Sequence, residues 1–204
     1  EAAMSTLKAG IASTDISPPE GVRLGGYPHH ERPNVGIHDP LMATCLYLSD
    51  GNTEIAFVCT DLLLYSRREV QVVREAVSEL TGMPPGHVMI TASHSHSAPR
   101  TAGRLDLEGL ENDYYPNQTY VAEIRKILPS LVADARRDAF DARLGIEKGF
   151  CGREQGVGGN RRDPVGVADP EVWTIGVQDM EGCWRGCLVK YALHPTVLHS
   201  DNLR

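Results

Sequence analysis

The sequence predicts an α/β fold, a mixed sheet with a βαβ unit and flanking helices. Three observations carry this. An apolar run, "NTEIAFVCTD", is followed by an amphipathic stretch, "SRREVQVVREAVSELTG", and then by a second apolar run, "HVMITAS". The first run gathers β-branched and aromatic residues between the turn "SDGN" and Asp61, as a buried strand does. The second spaces Val70, Val73, Val77 and Leu80 three or four apart, with Ser66 placed to cap its start and Gly82 to end it before Pro84 and Pro85. The third resumes the strand pattern. A strand, helix and strand in this order run as parallel neighbours through a right-handed crossover. Asp61 and the pair His94/His96 therefore fall at carboxyl ends of adjacent strands, the edge where open parallel sheets bind ligands.

Further along, "TYVAEIRKILPSLVADARRDAF" places Val121, Ile124, Leu128, Leu131 and Ala135 on one helical face, and Pro129 is expected to kink this helix or split it in two. "ARLGIEKG" reads as a strand and residues 151 to 170 as a long loop. "EVWTIGVQD" and "CWRGCLVKYALHP" read as a hairpin around "MEG". A loop of that length inside a compact domain is usually functional or disordered. No repeat is visible, and residues 1–204 are read as a single domain with enough apolar content, 41%, for a proper core.

Composition narrows the function classes. The net charge is −7, and lysine and arginine form no cluster beyond short pairs, so nucleic acid is not an expected partner. No apolar run approaches membrane-spanning length, and "EAAMSTLKAG" lacks the basic and apolar regions of a signal peptide, so neither a transmembrane segment nor a leader is legible. The compartment stays open. The five cysteines are odd in number and contain no CxxC pair, which indicates neither a disulfide framework nor a zinc knuckle. Three of them lie in strand-like runs that favour buried free thiols. Asn117-Gln-Thr119 fits a glycosylation sequon by pattern.

In "ITASHSHSAPR", alternation along an extended chain aims His94 and His96 the same way. Metal ligands, an acid/base pair and solvated loop histidines are all compatible with that spacing. Catalytic zinc takes about three protein ligands and a water, so a third must be found. His194, at the end of the apolar run "VKYALHPT", is the best candidate. Ser97 has no G-x-S-x-G elbow around it. "GREQGVGGNRR" is glycine-rich without the ending of a P-loop, and within it Arg161 or Arg162 offers a fork of donors to an oxyanion. Asp61 is placed either to accept a hydrogen bond from a ligand histidine or to serve as an ordinary cap.

Six stretches together resemble the neutral/alkaline (non-lysosomal) ceramidase family: "AGIASTDISPPEGVRLGGY", "GIHDPLMATCLYLSDG", "AFVCTDLL", "ITASHSHSAP", "GGNRRDP" and "YALHPTVLHSDN", in family order along the whole chain. The resemblance implies that this chain is the amino-terminal part of a zinc hydrolase's catalytic domain, and hence an incomplete one. It implies Zn2+ held by His94 and His194, His96 assisting proton transfer, and Arg161 contacting the substrate. The implied substrate is ceramide or another small-molecule or lipid N-acyl compound. The family completes its zinc shell with a glutamate and a tyrosine from later in the chain. The carboxyl-terminal remainder of the same protein is thus an implied partner, docking on an exposed, partly unpaired sheet. One departure stands out: Ala98-Pro99-Arg100-Thr101 replaces the family's Gly-Pro-Gly-Gly and brings a bulky cation to the pocket mouth. A metal-dependent esterase, or a non-catalytic binding module on the same scaffold, are the competing readings.

Overall fold

The computed structural model describes residues 7–27, 30–101, 117–194, 196 and 198–204. Of the Gly/Asp/Tyr-rich stretch from 103 to 117, to which the sequence assigns no role, all but Asn117 lies outside them. Among the described residues seven strands form one mixed sheet in the order β4-β3-β2-β1-β5-β6-β7. They are β1 (Lys8–Asp15), β2 (Met42–Ser49), β3 (Glu54–Thr60), β4 (Val88–Ala92), β5 (Phe140–Phe150), β6 (Glu171–Asp179) and β7 (Trp184–Tyr191). Among the described strands only β3 and β4 pair in parallel, with Val58 opposite Ile90, as the βαβ reading requires. β6 and β7 form the expected hairpin. The strands β1 and β2 had no place in the sequence reading, yet they pair antiparallel over eight residues and join the βαβ unit to the β5–β7 end.

Helix α1 (Arg67–Thr81) has the ends its sequence announces. The Ser66 hydroxyl accepts the Glu69 N–H at 3.1 Å, and Gly82 closes the last turn in the left-handed region at φ 78°. Its stripe is shorter than expected: Val73 and Val77 are buried, Leu80 is 57% exposed, and Met83 just beyond the cap is fully buried. Helix α2 (Gln118–Arg137) is one continuous element, so Pro129 does not split it. Proline deletes one backbone hydrogen bond. Burial of Ile124, Leu128, Leu131, Val132 and Ala135 holds the two halves to the same core. Asn117, the first residue of the sequon, caps this helix by accepting the Tyr120 N–H at 2.9 Å. Glu69 and Arg125 tie the two helices through a two-pronged ion pair at 2.7 and 2.8 Å.

Successive strand residues face opposite sides, and the sheet uses both. Cys45, Tyr47, Ala56 and Val58 face the helices in the main core. Leu46, Leu48, Ala9, Ala142 and Val177 form a second cluster on the other side. The far end of the sheet exposes apolar side chains: Ile146, Phe150, Trp173, Trp184 and Val189 are all at least 40% exposed. All five cysteines are free. Burial holds for Cys45 and partly for Cys59, whereas Cys187 is exposed because it sits on the edge strand β7, and Cys183 is exposed in the hairpin turn.

Candidate metal centre

The parallel pairing of β3 and β4 brings both chain exits to one edge. There Ser93 N–H donates to the Thr60 carbonyl, and the N–H groups of His94 and Ser95 both donate to the Leu62 carbonyl. His94 takes φ 66°, a left-handed conformation and the one positive-φ non-glycine residue among the described residues. A side chain there costs about 1–3 kcal/mol. His94 and His96 do converge, but through this turn and not through plain strand alternation.

The hairpin β6–β7 delivers His194 to the same place. The three imidazole centroids form a near-equilateral triangle, with sides of 5.0 Å (His94–His96), 4.9 Å (His94–His194) and 5.0 Å (His96–His194). One ring nitrogen from each lies within 4.8 Å of the others. Nε2 of His96 and Nε2 of His194 stand 3.1 Å apart. Two ligands of a tetrahedral zinc at about 2.05 Å would be about 3.3 Å apart, so ring nitrogens within 4.8 Å of one another, those of His94 and His194 among them, are close enough to serve one such ion.

Each ring is held differently. His94 Nδ1 faces the Leu63 carbonyl at 2.8 Å, which places the proton on Nδ1 and leaves Nε2 a lone pair. His96 rests on Gly26, whose α-carbon face leaves no room for a side chain, and meets Tyr27 edge-on at 5.0 Å. Its Nδ1 is buried without a partner among the described residues. His194 Nδ1 lies 3.1 Å from both Arg161 Nη1 and Thr196 Oγ1. The Arg161 contact fixes a tautomer, whereas the Thr196 hydroxyl can serve as donor or as acceptor. Arg161 can only donate, so it needs a bare Nδ1, whereas a proton on Nδ1 must go to the Thr196 oxygen. The second arrangement is the one that frees Nε2 for a cation.

Burial, followed by the neighbouring charges of His94, His194, Arg32 and Arg161, pushes His96 down to about 4. Burial and Arg161 lower His194 in the same direction. Both groups bind protons more weakly when folded. Their contribution to stability is therefore fully present above the unfolded histidine value near 6.5 and is lost as pH falls toward 4. The urea midpoint of the metal-free protein is expected to fall across that window, and His96→Gln to flatten the fall. An unchanged slope in the variant would contradict the assignment.

The structure places Asp61 apart from the imidazoles. Its carboxylate accepts the Met42 N–H at 3.0 Å and the Ser93 hydroxyl at 3.2 Å, so it ties the ends of β2, β3 and β4 together. The backbone carbonyl of Leu63 takes the position at His94 that the sequence offered to Asp61. Behind the histidines, Ser93, Ser95 and Ser97 line a groove of about 810 Å³ with Asp39, Asp61 and Leu198. A second group of metal-capable side chains, Asp179, Glu181 and Cys183, sits in the exposed β6–β7 turn. There Asp179 already accepts the N–H groups of Glu181 and Cys183 and pairs with Arg185, as a turn-stabilising aspartate does. Sequence reasoning missed Gly26, Tyr27 and Arg32. The doublet Gly25-Gly26 was the one local signal of a close approach, and nothing in the sequence marks Arg32 as buried.

No protein-family model matches the chain. Among the solved structures that share its fold are two ceramidases. Neutral ceramidase from Pseudomonas aeruginosa superposes with a TM-score of 0.73 at 20% identity. A ceramidase complexed with C2 superposes with a TM-score of 0.76 at 19% identity. Each comparison covers 97% of this chain and 33% of the other, so the chain spans about a third of the length of the structures it matches. The fold resembles part of a neutral ceramidase, and at these identities the likeness is one of fold.

Proposed function

We propose that this chain carries part of the active site of a zinc-dependent amide hydrolase that resembles neutral ceramidase and cleaves the N-acyl linkage of ceramide or a related N-acyl compound. The observation that supports it most is the triangle of His94, His96 and His194 at the carboxyl edge of the sheet, within a fold shared with ceramidases. In this reading His94 and His194 hold the zinc, and further donors come from outside these residues. Bound zinc supplies a Lewis acid that polarises the amide carbonyl and makes a water more acidic.

The remaining work belongs to the chain itself. His96 is neutral throughout the physiological range, so its lone pair stands ready to take the proton of the attacking water. Once protonated it is a strong acid for an imidazolium, which suits it to pass the proton to the departing amine. Arg161 contacts His194 in this structure. When Thr196 accepts the Nδ1 proton of His194, the guanidinium is released to orient the substrate and to balance charge developing on the carbonyl oxygen. Asp61 acts through the backbone, by fixing the exits of β3 and β4 on which the histidines stand.

Elemental analysis of the natural full-length polypeptide is expected to return about one zinc per chain, the stoichiometry of a single catalytic site. The His94→Ala variant is expected to return none. The wild type is further expected to hydrolyse an N-acyl substrate from a panel that includes a short-chain ceramide, and to stop when a chelator is added. Absence of zinc from the wild type after reconstitution would leave a non-catalytic module as the reading. Hydrolysis of esters but not amides would replace the amidase with an esterase.

A further inference from the structure

Arg32 is 1% exposed, among the most deeply buried polar groups described. Burying a cation is costly unless its donors are satisfied. Its described hydrogen-bond partners are all main-chain carbonyls: Nε donates to Ser200 at 2.9 Å, Nη1 to Gly25 at 2.7 Å and to His96 at 2.6 Å, and Nη2 to Asn202 at 2.6 Å. The guanidinium also lies 4.9 Å from the centroid of Tyr27. That ring meets His96 at 5.0 Å, and its hydroxyl donates to the Leu198 carbonyl at 2.8 Å.

Three separate pieces of chain thus converge on one side chain. They are the Gly25–Tyr27 turn under the His96 ring, the main chain of His96 itself, and the 198–202 run that follows His194. A planar fork with five donors can bridge partners on three sides, whereas a lysine offers three donors from one nitrogen. Burial of the charge without a carboxylate partner in the described contacts gives a hydrophobic core no advantage. The contacts run instead to the segments that carry or follow two of the three clustered histidines.

We infer that Arg32 is a positioning residue for the histidine cluster, clamping the backbone of His96 to the segment beyond His194 so that the two imidazoles meet. This rests on the reading of the cluster as the working site. The test uses the side-chain nitrogen NMR signals of the histidines in the metal-free protein, beside a zinc-affinity titration. In Arg32→Met the His96 and His194 signals are expected to move or broaden, that of His87, held by the Glu54 carbonyl on the far side of the sheet unit, to stay, and cooperative unfolding to persist. Zinc affinity is expected to fall by roughly 10–100-fold, the usual effect of removing a residue that orients a ligand. Arg32→Lys is expected to recover part of the wild-type pattern, and low-millimolar guanidinium added to Arg32→Ala to recover more.

Unmoved His96 and His194 signals in Arg32→Met would overturn the inference. So would loss of the folded state in both the Met and Lys variants, since Arg32 would then serve the whole fold. Failure of the wild type to bind zinc would sink the zinc reading, while the metal-free NMR comparison would still decide the role of Arg32.

Discussion

Replacing Gly26 by alanine is expected to break the histidine cluster while leaving the rest of the domain folded. Gly26 has φ +90°, and a methyl group there would lie 2.4 Å from Cγ of His96, 2.5 Å from its Nδ1 and 2.7 Å from its Cβ. A left-handed backbone alone costs an L-residue about 1–2 kcal/mol. The clash adds to this, because the ring cannot simply swing away: Tyr27 stands at its edge, and its main chain is held by Arg32. The imidazole must therefore leave its place, and the 3.1 Å approach to His194 is lost with it. Gly21→Ala is the matched control. It has φ +82° and nothing within 4 Å of the new methyl, so it bears the backbone strain without the clash. Urea denaturation and zinc titration on both variants separate the two effects. Both are expected to lose stability, but only Gly26→Ala to lose metal affinity. Equal behaviour of the two would mean that the ring does not depend on this glycine.

The parts of this architecture that depend on local chemistry could be read directly. The β3–α1–β4 unit, the Ser66 and Gly82 caps and the β6–β7 hairpin all follow from periodicity and turn residues close together in the chain. Strand β1 could not be read, because Gly10, Ala12 and Ser13 give it little hydrophobic signal; its place is decided by eight pairings with β2 and by the helix lying over it. The candidate site divides in the same way. That His94 and His96 stand at a strand end was legible, as was the exit of His194 from another strand. The contact between Arg161 and His194 was not, since 33 residues and a whole hairpin separate them. Nor was the competition between Arg161 and Thr196 for one nitrogen, or the turn at His94, which is a choice of backbone conformation and not of residue type. Arg32 marks the limit most clearly. An arginine in a polar stretch reads as solvated, and only the convergence of two distant segments with the nearby Gly25–Tyr27 turn shows why it is buried.

The scaffold makes a second large effect testable. Gly10→Ala is expected to unseat helix α2 from the sheet. A methyl group on Gly10 would lie 1.7 Å from the carbonyl oxygen of Ala135 and 2.7 Å from its carbon. Both are backbone atoms, so no rotamer change relieves the contact, and the helix must move as a body. Leu128, Val132 and Ala135 are fully buried between that helix and the sheet, so any such shift opens the main core. Overpacking in cores typically costs 1–3 kcal/mol, and a clash between two main chains belongs at or above about 3. Set against a total stability of roughly 5–15 kcal/mol, that is a large share. The urea midpoint is expected to fall steeply and helical circular dichroism to drop. Gly149→Ala on β5, with open space around the new methyl, is expected to stay within about 0.5 kcal/mol of wild type. A mild effect of Gly10→Ala would mean that α2 can ride further from β1 than the packing shows. The contrast with Gly26→Ala separates site from scaffold. Zinc binding should vanish in Gly26→Ala at temperatures where the protein is still folded, and in Gly10→Ala only in step with unfolding, because the edge that presents the histidines exists only while the helices hold the sheet.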